Sequence, residues 1–291
     1  MGIRAWLERK KLEKKARAKL RELFRDPDLL AGTSLRPSHS SRYVFLDCEA
    51  RDGEPAVIRF GILRHPRPYA FSRQAHEVDS GVVALAEKYD TVYAVVGWHP
   101  NDLEPAPEDV RTELRPLCAH PKVVAIGETG IDHYRLPSRN GGSESDDLVW
   151  RARQEIIFQQ QLELAVEQEL NVVIHQRAAL EPTLKLFEQY AAKLEGQFHC
   201  FVDDAVSMQR IIGMGSLVSF TGVATFKNAE EVRRTISATP LDKLMLETDS
   251  PFLAPVPHRG KRCEPAFVRH IAEVVAELKG VSLDELSRST C

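Results

Sequence analysis

Residues 244–255, LMLETDSPFLAP, join an apolar run to two acids and stop at two prolines. This pattern predicts a buried β-strand that starts at Leu244 and passes into a loop near Asp249, because proline interrupts regular structure. Asp249 is then the residue at the C-terminal end of the strand. Functional side chains of parallel sheets lie at that end, which favours a functional role for this carboxylate over a structural one.

Three other apolar runs end in residue types that bind metals: Val123–Glu128, Asn171–His175 and Gly196–His199. Together with Asp249 they supply two imidazoles and two carboxylates, a mixed ligand set that suits Zn²⁺, Mn²⁺ or Mg²⁺. Any one of them could instead be a capping acid or a hydrogen-bonded core histidine. Four at equivalent strand ends indicate a shared metal site.

Strands alternate with helices along the chain, which predicts an α/β fold with a parallel sheet. Six strand–helix units are clear from Gly81 onward, and two doubtful strands precede them, at Tyr43–Asp47 and Ala56–Leu63. A (β/α)8 TIM barrel is favoured over a doubly wound open sheet, because ligands from many strands must converge on one site. Its first strand–helix unit is divergent or degraded.

The clear units have the following predicted bounds. Strands are expected over residues 91–97, 123–128, 171–175, 196–199, 216–222 and 244–249. Helices are expected over residues 82–89, 108–118, 150–168, 182–193, 206–213, 229–237 and 265–278. A polar stretch rich in glycine and serine, residues 139–146, is predicted to be a surface loop.

The composition, with 43% hydrophobic and 28% charged residues in 291, suits one large α/β domain. No apolar run approaches the ~20 residues that span a bilayer, and the N-terminus lacks the apolar core of a secretory signal. A cytoplasmic protein without a membrane partner is therefore expected. The five cysteines are widely separated and form no C-x-x-C pair, so free thiols are predicted.

The N-terminal segment, residues 1–42, is predicted to be a basic helix followed by a linker, with the barrel domain over residues 43–291. Residues 1–25 carry ten lysines and arginines against three glutamates. Such an arm attracts nucleic acid or anionic lipid. A solvated charged helix, or a wrongly assigned start of translation, explains the same composition.

Six short motifs resemble those of the TatD family of metal-dependent deoxyribonucleases. They are Gly127–Asp132 (GETGID), Val173–His175 (VIH), Phe198–Phe201 (FHCF), Ser219–Gly222 (SFTG), Glu247–Pro255 (ETDSPFLAP) and Arg259–Arg262 (RGKR). The resemblance runs from about Gly81 to near the C-terminus, and the ETDSPFLAP motif is its most specific part. It implies an amidohydrolase-type TIM barrel that binds two divalent metals, Mg, Mn or Zn, and hydrolyses phosphodiester bonds in DNA, at strand ends.

The resemblance also implies roles for particular residues. Glu128 would bridge the two metals, His175 and His199 would hold one of them, and Asp249 would hold the other and position the attacking water. Two further residues follow from position and residue type alone. His99, at the end of the strand over 91–97, would face the same cavity and contact phosphate or pack the loop, and Arg259 would bind phosphate oxygens. DNA is the expected partner of a monomeric enzyme.

The chain departs from the family at its first strand, which in the family ends in Asp-x-His-x-His. The counterpart here is Asp47–Arg51, with Glu49 and Arg51 where histidines should stand. Arginine cannot bind a metal because its guanidinium has no free lone pair. One tightly bound metal is therefore expected instead of two. Residues 48–78 match nothing in the family, through true divergence or a damaged reading frame.

Two other functions are compatible with the same residues. The barrel could hydrolyse a small ester or phosphoester, since one fold and ligand set serves many substrates. It could also be a catalytically inactive barrel kept as a binding or structural protein.

Overall fold

The computed structural model describes residues 45–46, 58–60, 83, 86–88, 92–104 and 106–290. Within them, eight strands close into a barrel in the order of the sequence. They are β1 (Phe45–Leu46), β2 (Ile58–Phe60), β3 (Val92–Val96), β4 (Val123–Asp132), β5 (Asn171–Arg177), β6 (Gly196–Phe198), β7 (Leu217–Phe220) and β8 (Leu244–Thr248). Parallel pairing runs without a break from β2 to β8. The predicted α/β TIM barrel is confirmed.

The first strand departs from the barrel pattern, in which all eight strands are parallel. β1 pairs antiparallel with both of its neighbours, so that Phe45 lies opposite Phe60 of β2 and Thr248 of β8. The departure of the sequence from the family motif, at Asp47–Arg51, falls in the same first strand–helix unit. The predicted basic helix and linker over residues 1–42 lie outside the described residues, and so do Glu49 and Arg51.

One helix follows each strand from β3 to β8, and a further helix, at Leu283–Ser289, is the last element of the described chain. They are α1 (Arg111–Cys118), α2 (Glu144–Glu167), α3 (Leu180–Phe187), α4 (Ala205–Gly213), α5 (Glu230–Ala238), α6 (Val268–Lys279) and α7 (Leu283–Ser289). Their apolar residues recur at helical spacing, as when Val268, Ile271 and Val275 of α6 turn inward. Among the described helices, none is long and apolar enough to cross a bilayer.

Four helices depart from the predicted bounds by more than one residue. α1 starts at Arg111, three residues late, and α3 spans Leu180–Phe187 where residues 182–193 are predicted. α2 starts at Glu144, inside the stretch predicted to be a loop, because Ser143 and Asp146 form a reciprocal capping box at its first turn. α6 starts at Val268, since Pro265–Phe267 form a turn of 3-10 helix before it. α7 has no counterpart among the predicted helices.

The barrel wall separates two apolar layers. Ala94 and Val96 of β3 belong to the main core between strands and helices, whereas Val95 between them packs with Ala125 and Val173 in a separate cluster. Alternate residues of a strand point to opposite faces, so this second cluster fills the inside of the barrel. His175 is two residues beyond Val173, on the same face of β5, and therefore sits above this plug.

Glycine permits a close approach of β4 to β5 on both sides of Glu128. A Cβ on Gly127 would lie 2.7 Å from the carbonyl oxygen of Val173, and one on Gly130 would lie 1.9 Å from that of His175. The pairing of β4 with β5 also shifts by one residue between Ile126 and Thr129, a bulge that contains Glu128. These features turn the Glu128 side chain into the barrel.

Candidate metal centre

The side chain of Glu128 is surrounded by three histidines from neighbouring strand ends. His99 follows β3, Glu128 lies on β4, His175 lies on β5 and His199 follows β6. All four are buried, with exposed fractions of at most 6%. The structure thus brings together three of the four predicted metal ligands, Glu128, His175 and His199, with His99 beside them.

One oxygen of Glu128 faces all three rings. Its Oε1 lies 2.7 Å from Nδ1 of His175, and 3.4 Å from Nε2 of both His99 and His199. His99, Glu128 and His175 each offer a ligand atom, and these atoms lie within 4.8 Å of one another. By distance alone such a group could hold a metal ion, and the protonation of each ring decides which histidines can take part.

His175 is held from its outer side by Asp132, the last residue of β4. Nε2 of His175 lies 3.2 Å from Oδ2 of Asp132, a fully buried carboxylate that also accepts a hydrogen bond from Asn101 Nδ2 at 2.7 Å. Burial raises the pKa of Asp132, but its bonds to His175 and Asn101 outweigh that effect and hold the pKa well below its usual range. We therefore assign a proton to Nε2 of His175. Its Nδ1 lies 2.7 Å from Oε1 of Glu128, a distance that needs a proton shared by the two atoms or a cation bound by both.

His199 has the same arrangement with the opposite nitrogens. Its Nδ1 donates to Oε2 of Glu247 at 2.8 Å, so Nε2 is the nitrogen that faces Glu128, where it carries a proton or, with a metal bound, supplies a lone pair. Glu247 is fully buried and accepts two more bonds, from the backbone N–H of Cys200 at 2.6 Å and from Ser219 Oγ at 2.8 Å. Burial lowers the pKa of His199, but the charges of Glu247 and Glu128 outweigh it and raise the pKa to about 10.

His99 differs from the other two histidines in its protonation. The backbone N–H of Asn101 donates to Nδ1 of His99 at 3.0 Å, so that nitrogen carries a lone pair. A neutral imidazole has one N–H, which must then be on Nε2, the nitrogen that faces Glu128 and His175. His99 thus presents a hydrogen-bond donor to the cavity, whereas the inner nitrogens of His175 and His199 can give up a proton to Glu128 or to solvent and supply a lone pair to a metal ion.

Asp249 and Arg259 lie in the loop after β8. Asp249 is buried, and its charge contributes to the raised pKa of His199, so the two are close in space. Arg259 is exposed, and its guanidinium carbon stacks 3.6 Å from the ring centroid of Phe226.

Two buried glutamines of α2 fix the loops that carry this site. Gln161 accepts from Trp98 N at 2.8 Å and donates to Trp98 O at 2.9 Å and to Thr129 Oγ1 at 2.6 Å. Gln154, seven residues earlier, accepts from Asp132 N at 3.1 Å and donates to Pro100 O at 2.9 Å. The helix thereby holds the residues on both sides of His99.

Several of these residues are not predicted from the sequence. Asp132 and Glu247 both stand inside the quoted motifs, Glu247 two residues before Asp249, which is the available signal. Gln154 and Gln161 give no such signal, because buried glutamines cannot be told from exposed ones in a long helix.

A parallel barrel with histidines and a carboxylate at its C-terminal mouth is typical of metal-dependent hydrolases of the amidohydrolase-like TIM-barrel class. The chain belongs to the family described as TatD related DNase, which matches residues 69–291.

The comparison with individual proteins agrees. A relative from Escherichia coli (strain K12), the uncharacterized metal-dependent hydrolase YcfH, is 40% identical over 71% of this chain and 73% of its own length. The 3'-5' ssDNA/RNA exonuclease TatD of Pantoea vagans is 33% identical over 67% of this chain and 73% of its own. The crystal structure of YJJV, a TatD homolog from Escherichia coli K12, aligns with a TM-score of 0.67 and 27% identity over 74% of this chain and 80% of that chain.

Proposed function

We propose that the protein hydrolyses phosphodiester bonds of DNA at strand ends, with a divalent metal held by Glu128, His175 and His199. The arrangement of the two histidines carries the proposal. Nδ1 of His175 and Nε2 of His199 both face Oε1 of Glu128, while the opposite nitrogen of each ring contacts a buried carboxylate. Histidine ligands are usually oriented in this way. The exonuclease relative from Pantoea vagans supports the choice of substrate.

The donor set fits such an ion in charge as well as in ligand type. Glu128, Asp132, Glu247 and Asp249 place four buried carboxylates around the same cavity. Grouping like charges away from water is costly, and a divalent cation among them would offset that cost. When bound there, the ion would supply Lewis-acid activation of a water molecule and of the phosphoryl oxygen.

The remaining side chains have separate roles in the proposed reaction. His99 donates from Nε2 to a phosphate oxygen, in agreement with its assigned protonation. Asp249 holds the attacking water and accepts its proton. Arg259, ordered by its stacking on Phe226, binds a further phosphate oxygen, which suits the planar guanidinium.

The proposal includes one tightly bound metal. In the family a second ion is implied, held by Glu128, by Asp249 and by two histidines of the first strand. This chain has Glu49 and Arg51 in their place, so the second ion would keep two carboxylates alone. A cytoplasmic location and a monomeric state stay predictions.

The test is hydrolysis of single-stranded oligonucleotides labelled at the 5' or 3' end, with metal-stripped protein and added Mn²⁺, Mg²⁺ or Zn²⁺. We expect metal-dependent shortening from one end and its loss in Glu128→Gln. Glu167→Gln is the matched control, because Glu167 is an exposed carboxylate on α2 that pairs with Arg115. Turnover of a small ester without DNA cleavage would favour the small-substrate hydrolase, and no turnover with any metal would favour an inactive barrel.

A further inference from the structure

An exposed tyrosine beside the metal centre carries two guanidinium groups. The side chain of Tyr134 is 45% exposed. The guanidinium carbons of Arg177 and Arg139 lie 3.9 Å and 4.8 Å from the centroid of its ring. We refer to Tyr134, Arg139 and Arg177 as the Tyr134 platform.

Within the described part of the chain, the two arginines of the platform lack the carboxylate partner that several other arginines have. Five others pair with carboxylates: Arg111, Arg115, Arg210, Arg234 and Arg269. Arg139 and Arg177 form no ion pair with any residue that the structure describes. Their N–H groups are therefore not neutralised by a neighbouring carboxylate in this part of the chain, and stacking on a ring leaves the edges of a guanidinium open to a ligand.

The platform is connected to the candidate metal centre through β5 and through Asp132. Arg177 is two residues beyond His175 on β5, on the same face, with its Cα about 7 Å further along the strand. Oδ1 of Asp132 accepts the backbone N–H of Tyr134 at 2.8 Å, while Oδ2 of the same carboxylate contacts His175. Asp132 thus fixes the tyrosine and the histidine relative to each other.

We propose that the Tyr134 platform binds the phosphates of a polynucleotide that neighbour the phosphodiester undergoing cleavage. This inference rests on the proposed function. Guanidinium groups bind phosphate through two parallel N–H···O bonds, and stacking on a ring reduces the freedom that each arginine loses on binding. A small phosphoester has no neighbouring phosphates, so the platform makes the enzyme selective for a nucleic-acid chain.

The salt dependence of binding tests this proposal. A labelled single-stranded phosphorothioate 20-mer, which resists cleavage, is titrated with the full-length protein and followed by fluorescence anisotropy at several salt concentrations. Removing one arginine–phosphate interaction should reduce the log–log slope by about 0.7, so Arg139→Gln/Arg177→Gln should reduce it by about 1.4. Arg115→Gln/Arg210→Gln removes the same charge from exposed pairs on α1 and α4 and should leave the slope unchanged.

Tyrosine variants separate positioning from charge. Tyr134→Leu should weaken binding of the same 20-mer about two- to fivefold through loss of the ring, while Tyr134→Phe should keep wild-type affinity. Equal losses in Leu and Phe variants would contradict a role for stacking.

The outcomes also distinguish this inference from the proposed function. Suppose that the wild type hydrolyses DNA. An unchanged slope in Arg139→Gln/Arg177→Gln, or an equal change in the Arg115→Gln/Arg210→Gln control, would then overturn the platform but not the nuclease activity. A slope that depends on the platform in a protein that cleaves no phosphodiester would support the platform and overturn the nuclease. Failure of the wild type to bind the 20-mer would overturn the platform.

Discussion

In the cluster around Glu128, the contact of the outer nitrogen of each imidazole decides what its inner nitrogen can do. Buried carboxylates take the outer N–H of His175 and His199, so their inner nitrogens are the ones that can supply a lone pair to a metal ion. A backbone N–H points at the outer nitrogen of His99, so its inner nitrogen is a donor. Three residues of one type therefore have two chemical roles.

Glu247→Gln tests the role of the carboxylate behind His199. The amide keeps the shape of the side chain but loses its charge and has a single acceptor oxygen for three donors. Changes to the groups that orient a metal-binding histidine typically weaken metal binding about 10- to 100-fold. Calorimetric titration with Zn²⁺ should show that loss, with Glu167→Gln unchanged; wild-type affinity in Glu247→Gln would show that the carboxylate has no part in orienting the ligand.

His99→Ala tests the assigned protonation. If His99 is a donor, the variant should retain its bound metal while kcat/KM on DNA falls about 100-fold or more, within the range for loss of a transition-state hydrogen bond. Elemental analysis of the purified variant gives the first quantity and the end-label assay the second. Loss of the metal would instead make His99 a ligand.

For single residues, the sequence predicts which side chains form the cluster around Glu128 but not which residues orient them. Glu128, His175, His199, Asp249 and His99 follow from strand ends and motifs. The protonation of His99 depends on the loop that brings the backbone N–H of Asn101 to its ring. The role of Asp132 depends on the register between β4 and β5. Those are three-dimensional relations that no spacing in the chain reveals.

At the scale of elements, the site depends on the close contact between β4 and β5. Gly130 pairs with His175, and the bulge before it presents Glu128 to the cavity. α2 supports β4 of this pair through Gln154 and Gln161. The cluster around Glu128 therefore depends on one strand pair and one helix more than on the rest of the barrel.

Gly130→Ala should disrupt that contact. The added methyl group would meet the carbonyl oxygen of His175 at 1.9 Å, and the φ of +139° is unfavourable for alanine. We expect a loss of about 3 kcal/mol in the free energy of unfolding, measured in urea, together with weaker metal binding. Gly213→Ala is the control, since nothing lies within 4 Å of the position that its methyl group would take, and its φ is unexceptional. Equal stability of the two variants would contradict a role for this close contact.

The bounds of the helices show where sequence patterns fail to predict the structure. The apolar spacing predicts α2 but places its start late, because the capping box of Ser143 and Asp146 lies in a glycine- and serine-rich stretch. Within α2, the apolar Ile156 is 49% exposed, whereas the polar Gln154 and Gln161 are buried. The two glutamines are buried because they hydrogen-bond to groups of β4, and a hydrophobicity pattern does not report such bonds.

At the scale of the whole molecule, barrel closure brings distant segments together. His99 and Asp249 are separated by most of the described chain, yet both lie at the mouth of one barrel. The alternation of strands and helices is enough to predict this convergence. It is not enough to predict the direction of β1, because the residues around that strand match no family motif.

The direction of β1 bears on the missing histidine pair. In the family the first strand is expected to carry its histidines toward the mouth, in parallel with β8, whereas here β1 is antiparallel to β8. We therefore expect Glu49→His/Arg51→His to leave the metal content at one equivalent per chain, as measured by elemental analysis after dialysis against Zn²⁺. A rise to two equivalents would show that this segment can take the family arrangement.

His175 and His199 are proposed to hold a metal ion at Glu128, so the metal content of histidine variants is the quantity to measure. Wild-type protein, His175→Ala, His199→Ala and the surface control Arg115→Gln are dialysed against Zn²⁺ and then against metal-free buffer. Circular dichroism confirms folding before elemental analysis. We predict one equivalent in the wild type and the control and less than about a tenth in either histidine variant, because each loses one of three protein ligands. A full equivalent retained in both histidine variants, or none in the wild type, would contradict the account.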